Sequence, residues 1–216
     1  MATVGVLGGT GPAGRGVAVR LASAGFDVVL GSRDESRASG VASTLLPRGD
    51  GVIRGGTNDV AADCEIVVVA TPWDSTVETV KALRDSLRGK VVISMVNALV
   101  REGKELVPLY PPRGSMASQL AFALPESTVV GAFHHLPASE MEDLDSALDA
   151  DVLVFSDGAA ARTLVVEMVN EMPGLRAVEA GSMSLAGAIE AFTAVCISIN
   201  IRHKAHSYVK LAGLPD

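Results

Sequence analysis

The chain has 216 residues, of which 48% are apolar, 20% are charged and only 4% are aromatic, and its formal net charge is −7. These proportions are normal for a folded protein with an aliphatic core, and the sequence lacks the basic footprint of a nucleic-acid-binding protein. Two distant cysteines, Cys64 and Cys196, provide neither a disulfide framework nor a CxxC zinc site, so we expect reduced thiols and no metal site.

Strand and helix patterns alternate from the start of the chain. Short β-branched runs predict strands at Thr3–Leu7, Asp27–Leu30, Val52–Arg54, Glu65–Ala70, Lys90–Ser94 and Thr128–Phe133. Apolar residues at helical spacing predict helices between them, at Pro12–Ala24, Asp34–Leu46, Asp59–Asp63, Ser75–Leu87 and Ser115–Leu124. This alternation predicts an α/β fold with a doubly wound, mostly parallel sheet.

The C-terminal third of the chain shows a different pattern. The stretch 140–151 holds six carboxylates, for which we favour a solvated surface segment over a paired-carboxylate acid–base site. Strand patterns at Asp151–Phe155 and Arg176–Glu179 flank a predicted helix at Ala159–Met172. From about Ser184 to Leu211 the pattern predicts one long helix or a broken pair of helices. So much apolar helical surface needs a partner, and we therefore expect a homodimer.

Two further features predict a cytoplasmic protein without a membrane partner. The chain enters its first strand at Thr3 with no basic segment before it, which argues against a signal peptide. The longest apolar run, Ala186–Ile201, is interrupted by polar residues such as Glu190 and Asn200. It also falls short of the roughly 20 apolar residues that a membrane span requires.

The first predicted strand runs into a glycine-rich loop. Gly9, Gly11 and Gly14 fit the pattern G-x-G-x-x-G, and they lie between a strand and a helix, as they do in dinucleotide-binding domains. In that setting the first glycine permits a tight turn, the second leaves room for the pyrophosphate and the third lets the helix pack closely on the strand. The helix N-terminus, which begins with Pro12 and Ala13, offers unpaired N–H groups to the phosphates.

The end of the second predicted strand indicates which dinucleotide is bound. NAD-specific domains place an Asp or Glu there, about 20 residues after the glycines. This chain has Ser32 and Arg33 instead, and its first carboxylate, Asp34, is placed to cap the next helix. A hydroxyl and a guanidinium suit a 2′-phosphate, and Thr10 and Arg37 can complete the set of donors. We therefore expect NADP(H) rather than NAD(H).

A second substrate is expected at the carboxyl ends of the strands, where ligands of open α/β sheets bind. His134 and His135 follow the strand Thr128–Phe133 directly, and Leu136 and Pro137 come next. From the residues alone, two alternatives stay open: one of the histidines touches a ligand, or both serve packing.

The sequence resembles the NADPH-dependent reductases of the 8-hydroxy-5-deazaflavin coenzyme, coenzyme F420. Four stretches carry the resemblance, which runs nearly end to end: GVLGGTGPAGRGVAVRLASAGFDVVLGSR at 5–33, ATPW at 70–73, AFHHLPA at 132–138 and AGSMSLAGAIEAFT at 180–193. The resemblance implies reversible hydride transfer between NADP(H) and the deazaflavin. Such a transfer requires two aligned rings and no side-chain acid or base, so we expect no catalytic residue of that kind.

The resemblance also implies three groups of site residues. Around the 2′-phosphate it places Thr10, Ser32, Arg33 and Arg37. Along the nicotinamide it places Thr71, Pro72 and Trp73. Around the deazaflavin it places His134, His135, Leu136, Pro137, Gly181 and Ser182.

Two alternative functions stay open on the sequence. A related NADPH reductase of a small imine, carbonyl or flavin substrate would share the Rossmann half, although Ser184–Ile201 lacks the catalytic lysine of the hydroxyacid dehydrogenases. A non-enzymatic NADP-sensing module would leave the histidines without a role. For the domain organisation we expect an NADP-binding Rossmann domain over 1–180. A helical segment over 181–216 is expected to complete the substrate pocket and the dimer interface.

Overall fold

The computed structural model describes residues 2–103 and 105–214. Its strands are β1 Thr3–Leu7, β2 Asp27–Ser32, β3 Ile53–Thr57, β4 Ile66–Val69, β5 Val91–Ser94, β6 Leu99–Glu102, β7 Glu105–Pro108, β8 Thr128–Gly131, β9 Ala150–Phe155 and β10 Leu175–Gly181. Its helices are α1 Pro12–Ser23, α2 Glu35–Ala42, α3 Asn58–Ala62, α4 Trp73–Ala82, α5 Arg84–Leu87, α6 Met116–Ala123, α7 Ala138–Glu142, α8 Ala159–Asn170 and α9 Ala186–His203. A single 3-10 turn, Met183–Leu185, precedes α9.

Eight strands form one sheet in the order β10-β9-β8-β5-β4-β1-β2-β3. The six strands from β3 to β8 in this order are parallel, and their sequence β3-β2-β1-β4-β5 followed by β8 is that of a doubly wound dinucleotide-binding sheet. β9 runs antiparallel to β8, and β10 is parallel to β9. The predicted α/β fold with a mostly parallel sheet is therefore confirmed.

Side chains alternate between the two faces of the sheet and build one hydrophobic core on each. In β4, Ile66 and Val68 enter the core on the face of α1, whereas Val67 and Val69 enter the core on the face of α6. Because both faces are buried, these strands are apolar at every position rather than at alternate positions. The parallel strands consequently end at one edge, where the connecting loops are free to bind a ligand.

Several segments differ from the expectation: the helix predicted at Asp34–Leu46 ends at Ala42, the helix predicted at Ser75–Leu87 is divided into α4 and α5, and the short helix α7 was not predicted. The strands β6 and β7 pair antiparallel as a hairpin, which the sequence patterns did not predict. The long terminal helix ends at His203, because Lys204 takes a left-handed conformation with φ 51° and ψ 47°. The following segment returns to the sheet, where the Asp151 N–H donates to the Val209 carbonyl at 2.8 Å. A helix reaching Leu211 was therefore wrong.

The acidic stretch 140–151 is not entirely a solvated surface. Asp151 is 1% exposed, and its two carboxylate oxygens accept hydrogen bonds from the Arg176 guanidinium, both at 2.8 Å. One of them also accepts from the Leu211 N–H at 2.6 Å. Burial alone would raise the pKa of Asp151, but these hydrogen bonds bring it below its ordinary value. Asp151 therefore fixes the C-terminal segment to the start of β9.

By length and composition alone, Met183–His203 could cross a membrane, with a mean hydropathy of 1.6 in its most apolar window. Glu190 and Thr193 are polar positions within this apolar helix. In the structure both residues are buried against the rest of the fold. Only 33% of the apolar window is buried, however, and the remainder of the helix faces outward.

Candidate functional site

The glycine loop joins the end of β1 to the start of α1. A Cβ added at Gly9 would lie 2.4 Å from Leu30 Cδ2, and one added at Gly14 would lie 2.7 Å from the Gly9 Cα. At Gly11 the nearest heavy atom would be the Gly8 carbonyl oxygen at 3.6 Å, which is ordinary van der Waals contact. The protein therefore needs glycine at the outer two positions for its own packing, but it leaves the space above Gly11 open.

A cavity of about 430 Å³ opens beside this loop, at the carboxyl ends of β1, β2 and β4. The carboxylate that follows β2, Asp34, accepts the Arg37 N–H at 3.1 Å and caps α2. The lining therefore offers guanidinium and hydroxyl donors, as the sequence predicts for a 2′-phosphate site. It brings together Thr10, Gly11, Pro12, Ala13, Ser32, Arg33 and Arg37.

The segment after β4 forms a second wall of this cavity. Thr71 and Pro72 line it, and the Thr71 and Thr76 hydroxyls lie 2.8 Å apart in a buried hydrogen bond. Thr76 Oγ1 also donates to the Pro72 carbonyl at 2.8 Å, so the turn is held by side chains inside α4. Trp73 begins α4, is 37% exposed and is not among the lining residues.

Sequence reasoning missed Asn58, which also lines this cavity. Its Oδ1 accepts the Gly8 N–H at 3.2 Å and so holds the glycine loop from α3. Gly8 has a φ of 69°, in the left-handed region. The only local signal for Asn58 was its place at the start of a short helix after β3, which by itself does not indicate a ligand site.

A second cavity of about 170 Å³ begins where the first one ends, since Ala13 lines both. Predicted residues His134, His135, Leu136 and Pro137 line it. The other lining residues come from distant segments, and sequence reasoning did not find them. They are Met95, Asn97, Phe133, Thr193, Cys196, Ile197, Asn200 and Ser207.

His134 reaches this cavity through an unusual backbone turn. Phe133 has a φ of 66°, which is rare for a bulky residue, and directs the next residue inward. The His134 carbonyl lies 3.1 Å from both Asn97 Nδ2, which donates to it, and the Thr193 hydroxyl. These two contacts hold the backbone of the turn from β5 and from α9.

The His134 ring itself is buried without a hydrogen bond. It is 5% exposed and stacks on Phe155 with ring centroids 5.4 Å apart. Neither ring nitrogen has a hydrogen-bond partner within the described part of the chain. Burial, together with the neighbouring His135, lowers the pKa of His134 to about 3. The ring is therefore neutral at physiological pH, with one donor and one acceptor that have no partner among the described residues.

His135 points away from this arrangement and toward α9. Its Nε2 donates to the Ile189 carbonyl at 2.7 Å, and its ring meets Phe192 edge-on with centroids 5.6 Å apart. Burial lowers the pKa of His135 as well, although the hydrogen bond to Ile189 opposes the shift. The hydrogen bond and the ring contact of His135 are thus packing contacts with α9, whereas the His134 ring has no hydrogen-bond partner among the described residues.

Gly181 and Ser182 lie outside both cavities. Gly181 ends β10 with a φ of 97°, and its carbonyl accepts the Ser156 N–H at 3.0 Å. Ser182 is exposed, and its hydroxyl lies 2.7 Å from that of Ser184. The structure therefore does not bring these two predicted residues to the cavity that holds His134.

The position of α9 beside the second cavity depends on a buried carboxylate. Glu190 is 5% exposed, and its two oxygens accept the N–H groups of Met116 and Ala117 at 2.7 and 2.8 Å. These are first-turn N–H groups of α6, which have no partner inside their own helix. Burial raises the pKa of Glu190 to about 7, although the two N–H donors oppose the shift.

Comparisons with known proteins agree with this geometry. The family described as "NADP oxidoreductase coenzyme F420-dependent" matches residues 3–98. The F420-dependent NADP reductase of Methanocaldococcus jannaschii is 35% identical over 94% of this chain and 94% of its own length. The enzyme of the same name from Methanothermobacter thermautotrophicus is 34% identical over 99% of this chain and 96% of its own length.

A solved structure extends the comparison to three dimensions. The crystal structure of a proposed F420-dependent NADP reductase from Arthrobacter sp. FB24 superposes with a TM-score of 0.81 and 26% sequence identity. It covers 96% of this chain and 97% of its own. With relatives of this identity along nearly its whole length, the chain belongs to the family of F420-dependent NADP reductases.

Proposed function

We infer that the protein is an NADP-dependent oxidoreductase that transfers a hydride reversibly between NADP(H) and coenzyme F420. The observation that carries this inference is the pair of cavities that meet at Ala13, one lined by guanidinium and hydroxyl donors and the other by a neutral histidine. The relatives with this activity in their names match the chain through both cavities, from the glycine loop to α9.

The first cavity is proposed to hold NADP(H). Its pyrophosphate would lie above Gly11, where the protein leaves open space and where the N-terminus of α1 presents unpaired N–H groups. Its 2′-phosphate would accept hydrogen bonds from Ser32, Arg33 and Arg37 beyond the end of β2. The nicotinamide would then extend past Pro72 toward Ala13 and the second cavity.

The second cavity is proposed to hold the deazaflavin ring. His134 has two unpaired ring nitrogens there, which suit the carbonyl and N–H edge of such a ring. Asn97 and Thr193 hold the His134 backbone in position and so orient the ring that contacts the substrate. Cys196 and Ile197 on α9 contribute an apolar surface to the same cavity.

The chemistry is carried by the two coenzymes. In the direction of deazaflavin reduction, a hydride takes two electrons from carbon 4 of NADPH to carbon 5 of the deazaflavin, and one proton from solvent balances the reaction. The protein contributes proximity and alignment, which are sufficient to supply much of the rate of a bimolecular reaction. Its own residues bind both rings and exclude water, and none is required as an acid or base.

The direct test is the absorbance of oxidised coenzyme F420 mixed with NADPH and the purified protein. We expect bleaching of the deazaflavin band that depends on both NADPH and protein, and much slower reduction of riboflavin in a parallel reaction. Equal rates with riboflavin would favour a flavin reductase. Binding of NADPH without reduction of either acceptor would favour a reductase of a small imine or carbonyl, or an NADP-sensing module.

The quaternary structure is also a proposal. Five exposed residues form one apolar stripe along α9 and the 3-10 turn before it, and a groove of about 500 Å³ lies between this helix and the β6–β7 hairpin. We propose that this apolar surface is the interface of a homodimer. The stripe consists of Leu185, Ala188, Phe192, Val195 and Ile199.

Three further expectations stay predictions: a cytoplasmic location, the absence of nucleic-acid and membrane partners, and a domain boundary near residue 180.

A further inference from the structure

The end of the chain is basic, in contrast to the acidic balance of the whole protein. The formal net charge is −7, yet residues 191–215 contain no Asp or Glu. Within this stretch the cationic and histidine residues are concentrated in one short segment. They are Arg202, His203, Lys204, His206 and Lys210.

Part of this segment forms a tight loop at the rim of the second cavity. Asn200 and Ser207 both line the cavity, so the residues between them cross its edge. The Asn200 side chain closes the loop, because its Oδ1 accepts the Ser207 N–H at 2.7 Å and the Ser207 hydroxyl at 2.6 Å. Lys204 stands at the tip of the loop in its left-handed conformation.

The cations of this loop differ in whether they already have a partner. Arg202 pairs with Glu105 at 2.6 Å, and Lys210, beyond the loop, pairs with Asp149. His203 and Lys204 are exposed and make no ion pair among the described residues. His206 is exposed as well, and only its Nδ1 is engaged, 3.2 Å from the Ser139 hydroxyl. The carboxylates on the neighbouring helix α7 are engaged elsewhere, Glu142 with Arg15 at 3.0 Å and Glu140 with Ser146.

We propose that the loop of residues 200–207 is a binding site for the anionic side chain of the deazaflavin coenzyme, with His203, Lys204 and His206 as its donors. This proposal rests on the proposed function, which places the deazaflavin ring in the second cavity. Coenzyme F420 carries a phosphodiester and glutamate carboxylates on the side chain that leaves its ring. With the ring beside His134, a side chain that leaves over Asn200 and Ser207 meets these unpaired groups.

The test compares two acceptors that share the ring and differ in the side chain: complete coenzyme F420, and its precursor that carries only the ribityl chain. For Lys204→Gln, we expect the KM for complete F420 to rise about three- to five-fold, which corresponds to the upper part of the range measured for one exposed ion pair. The double variant His203→Gln/Lys204→Gln should raise it further. In both variants the KM for the ribityl precursor and for NADPH should stay within about two-fold of wild type, because neither ligand has the anionic side chain.

Lys210→Gln is the matched control, since it removes a cation from the same C-terminal segment at a residue already paired with Asp149. It should leave the KM for both acceptors unchanged. A second measurement uses only the wild-type protein, so a folding defect of a variant cannot affect it. Added salt should raise the wild-type KM for complete F420 more than the KM for the ribityl precursor, because salt screens the attraction between the cations and the anionic side chain.

The outcomes separate this proposal from the proposed function. If the variants change the KM for the two acceptors equally, or change neither, the loop does not bind the anionic side chain. The proposed oxidoreductase activity would not be affected by that result. Failure of the wild-type protein to reduce both acceptors would instead reject the proposed function, and this inference with it.

Discussion

The space around Gly11 shows that the fold itself does not require a glycine there. An alanine there would meet only the Gly8 carbonyl oxygen at 3.6 Å, and the Gly11 φ of −75° suits any residue. We therefore expect Gly11→Ala to keep the free energy of unfolding within about 0.5 kcal/mol of wild type. It should weaken NADPH binding at least about ten-fold, because the methyl group occupies the space proposed for the pyrophosphate.

Gly14→Ala is the control for this prediction. Its Cβ would lie 2.7 Å from the Gly9 Cα, so the variant should lose stability whether or not NADPH is present. Urea unfolding and fluorescence titration with NADPH measure the two quantities separately. A Gly11→Ala protein that binds NADPH as tightly as wild type would mean that the pyrophosphate lies elsewhere.

The buried His134 ring predicts a particular loss of stability in acid. Its pKa is about 3 in the folded protein and 6.5 ordinarily, so between these values the unfolded chain binds a proton that the folded chain does not. The free energy of unfolding therefore falls as the pH falls from 6.5 toward 3, by at most about 1.4 kcal/mol per pH unit from this residue.

His134→Phe removes this titration and keeps a ring to stack on Phe155. Between pH 6.5 and pH 5, wild type should lose about 1.6 kcal/mol more than the variant in urea unfolding, because the unfolded histidine is already half protonated at pH 6.5. His135 is present in both proteins and keeps its burial and its hydrogen bond to Ile189, so the comparison reports the titration of His134 together with its coupling to His135. The same loss in both proteins would show that the His134 ring is solvated or protonated in the folded state.

At the scale of secondary-structure elements, α9 is held to α6 by one carboxylate. Glu190→Ala would leave the Met116 and Ala117 N–H groups buried without an acceptor. Each such group costs about 1–3 kcal/mol, so we expect the free energy of unfolding to fall by about 2–4 kcal/mol. The KM for the deazaflavin should rise as well, because the adjacent turn of α9 carries Thr193, which holds His134.

Ser115→Ala tests whether this effect belongs to the contact between the two helices. Ser115 caps α6 by accepting the Ser118 N–H at 3.0 Å and belongs to the same helix end. Its loss should cost only about 1 kcal/mol and should leave the KM unchanged. If the two variants have equal effects on the free energy of unfolding and on the KM, Glu190 acts only as a cap of α6 and does not position α9.

Sequence patterns correctly predicted the helices and strands whose conformation depends on residues close together in the chain. Strands buried on both faces, such as Ile66–Val69, and the helix that begins at Pro12 are determined by residues next to one another in the chain. The end of α9 is not determined by neighbouring residues. It depends on the hydrogen bond between the Asn200 side chain and the Ser207 N–H, and on the left-handed conformation of Lys204. The β6–β7 hairpin was missed because its strands have four residues each and half-exposed side chains.

The two cavities differ in the same way. Half of the residues that line the first cavity come from the glycine loop and the end of β2, so Thr10, Ser32 and Arg33 could be found in the sequence. The second cavity combines Asn97 from the loop after β5 with Thr193 from α9, which only the folded chain brings together. A sequence pattern could therefore identify His134 but not the residues that hold it.

At the scale of the whole molecule, the exposed stripe on α9 is what one folded chain leaves uncovered. Phe192, Val195 and Ile199 follow helical spacing, are 44%, 48% and 41% exposed, and lie beside the groove next to the hairpin. Burying such a surface between two copies would stabilise a dimer by the hydrophobic effect. The proposed homodimer therefore has a defined interface that a single charge should disrupt.

Val195→Asp places a carboxylate in the centre of this stripe, and we expect it to convert a dimer at micromolar concentration into a folded monomer. Leu46→Asp is the matched control, because Leu46 is 79% exposed and lies after α2, away from α9. Sedimentation velocity should give a dimer for wild type and Leu46→Asp, and circular dichroism should show that all three proteins are folded. A wild-type monomer would leave the apolar stripe without its partner, and a dimeric Val195→Asp would place the interface on another surface.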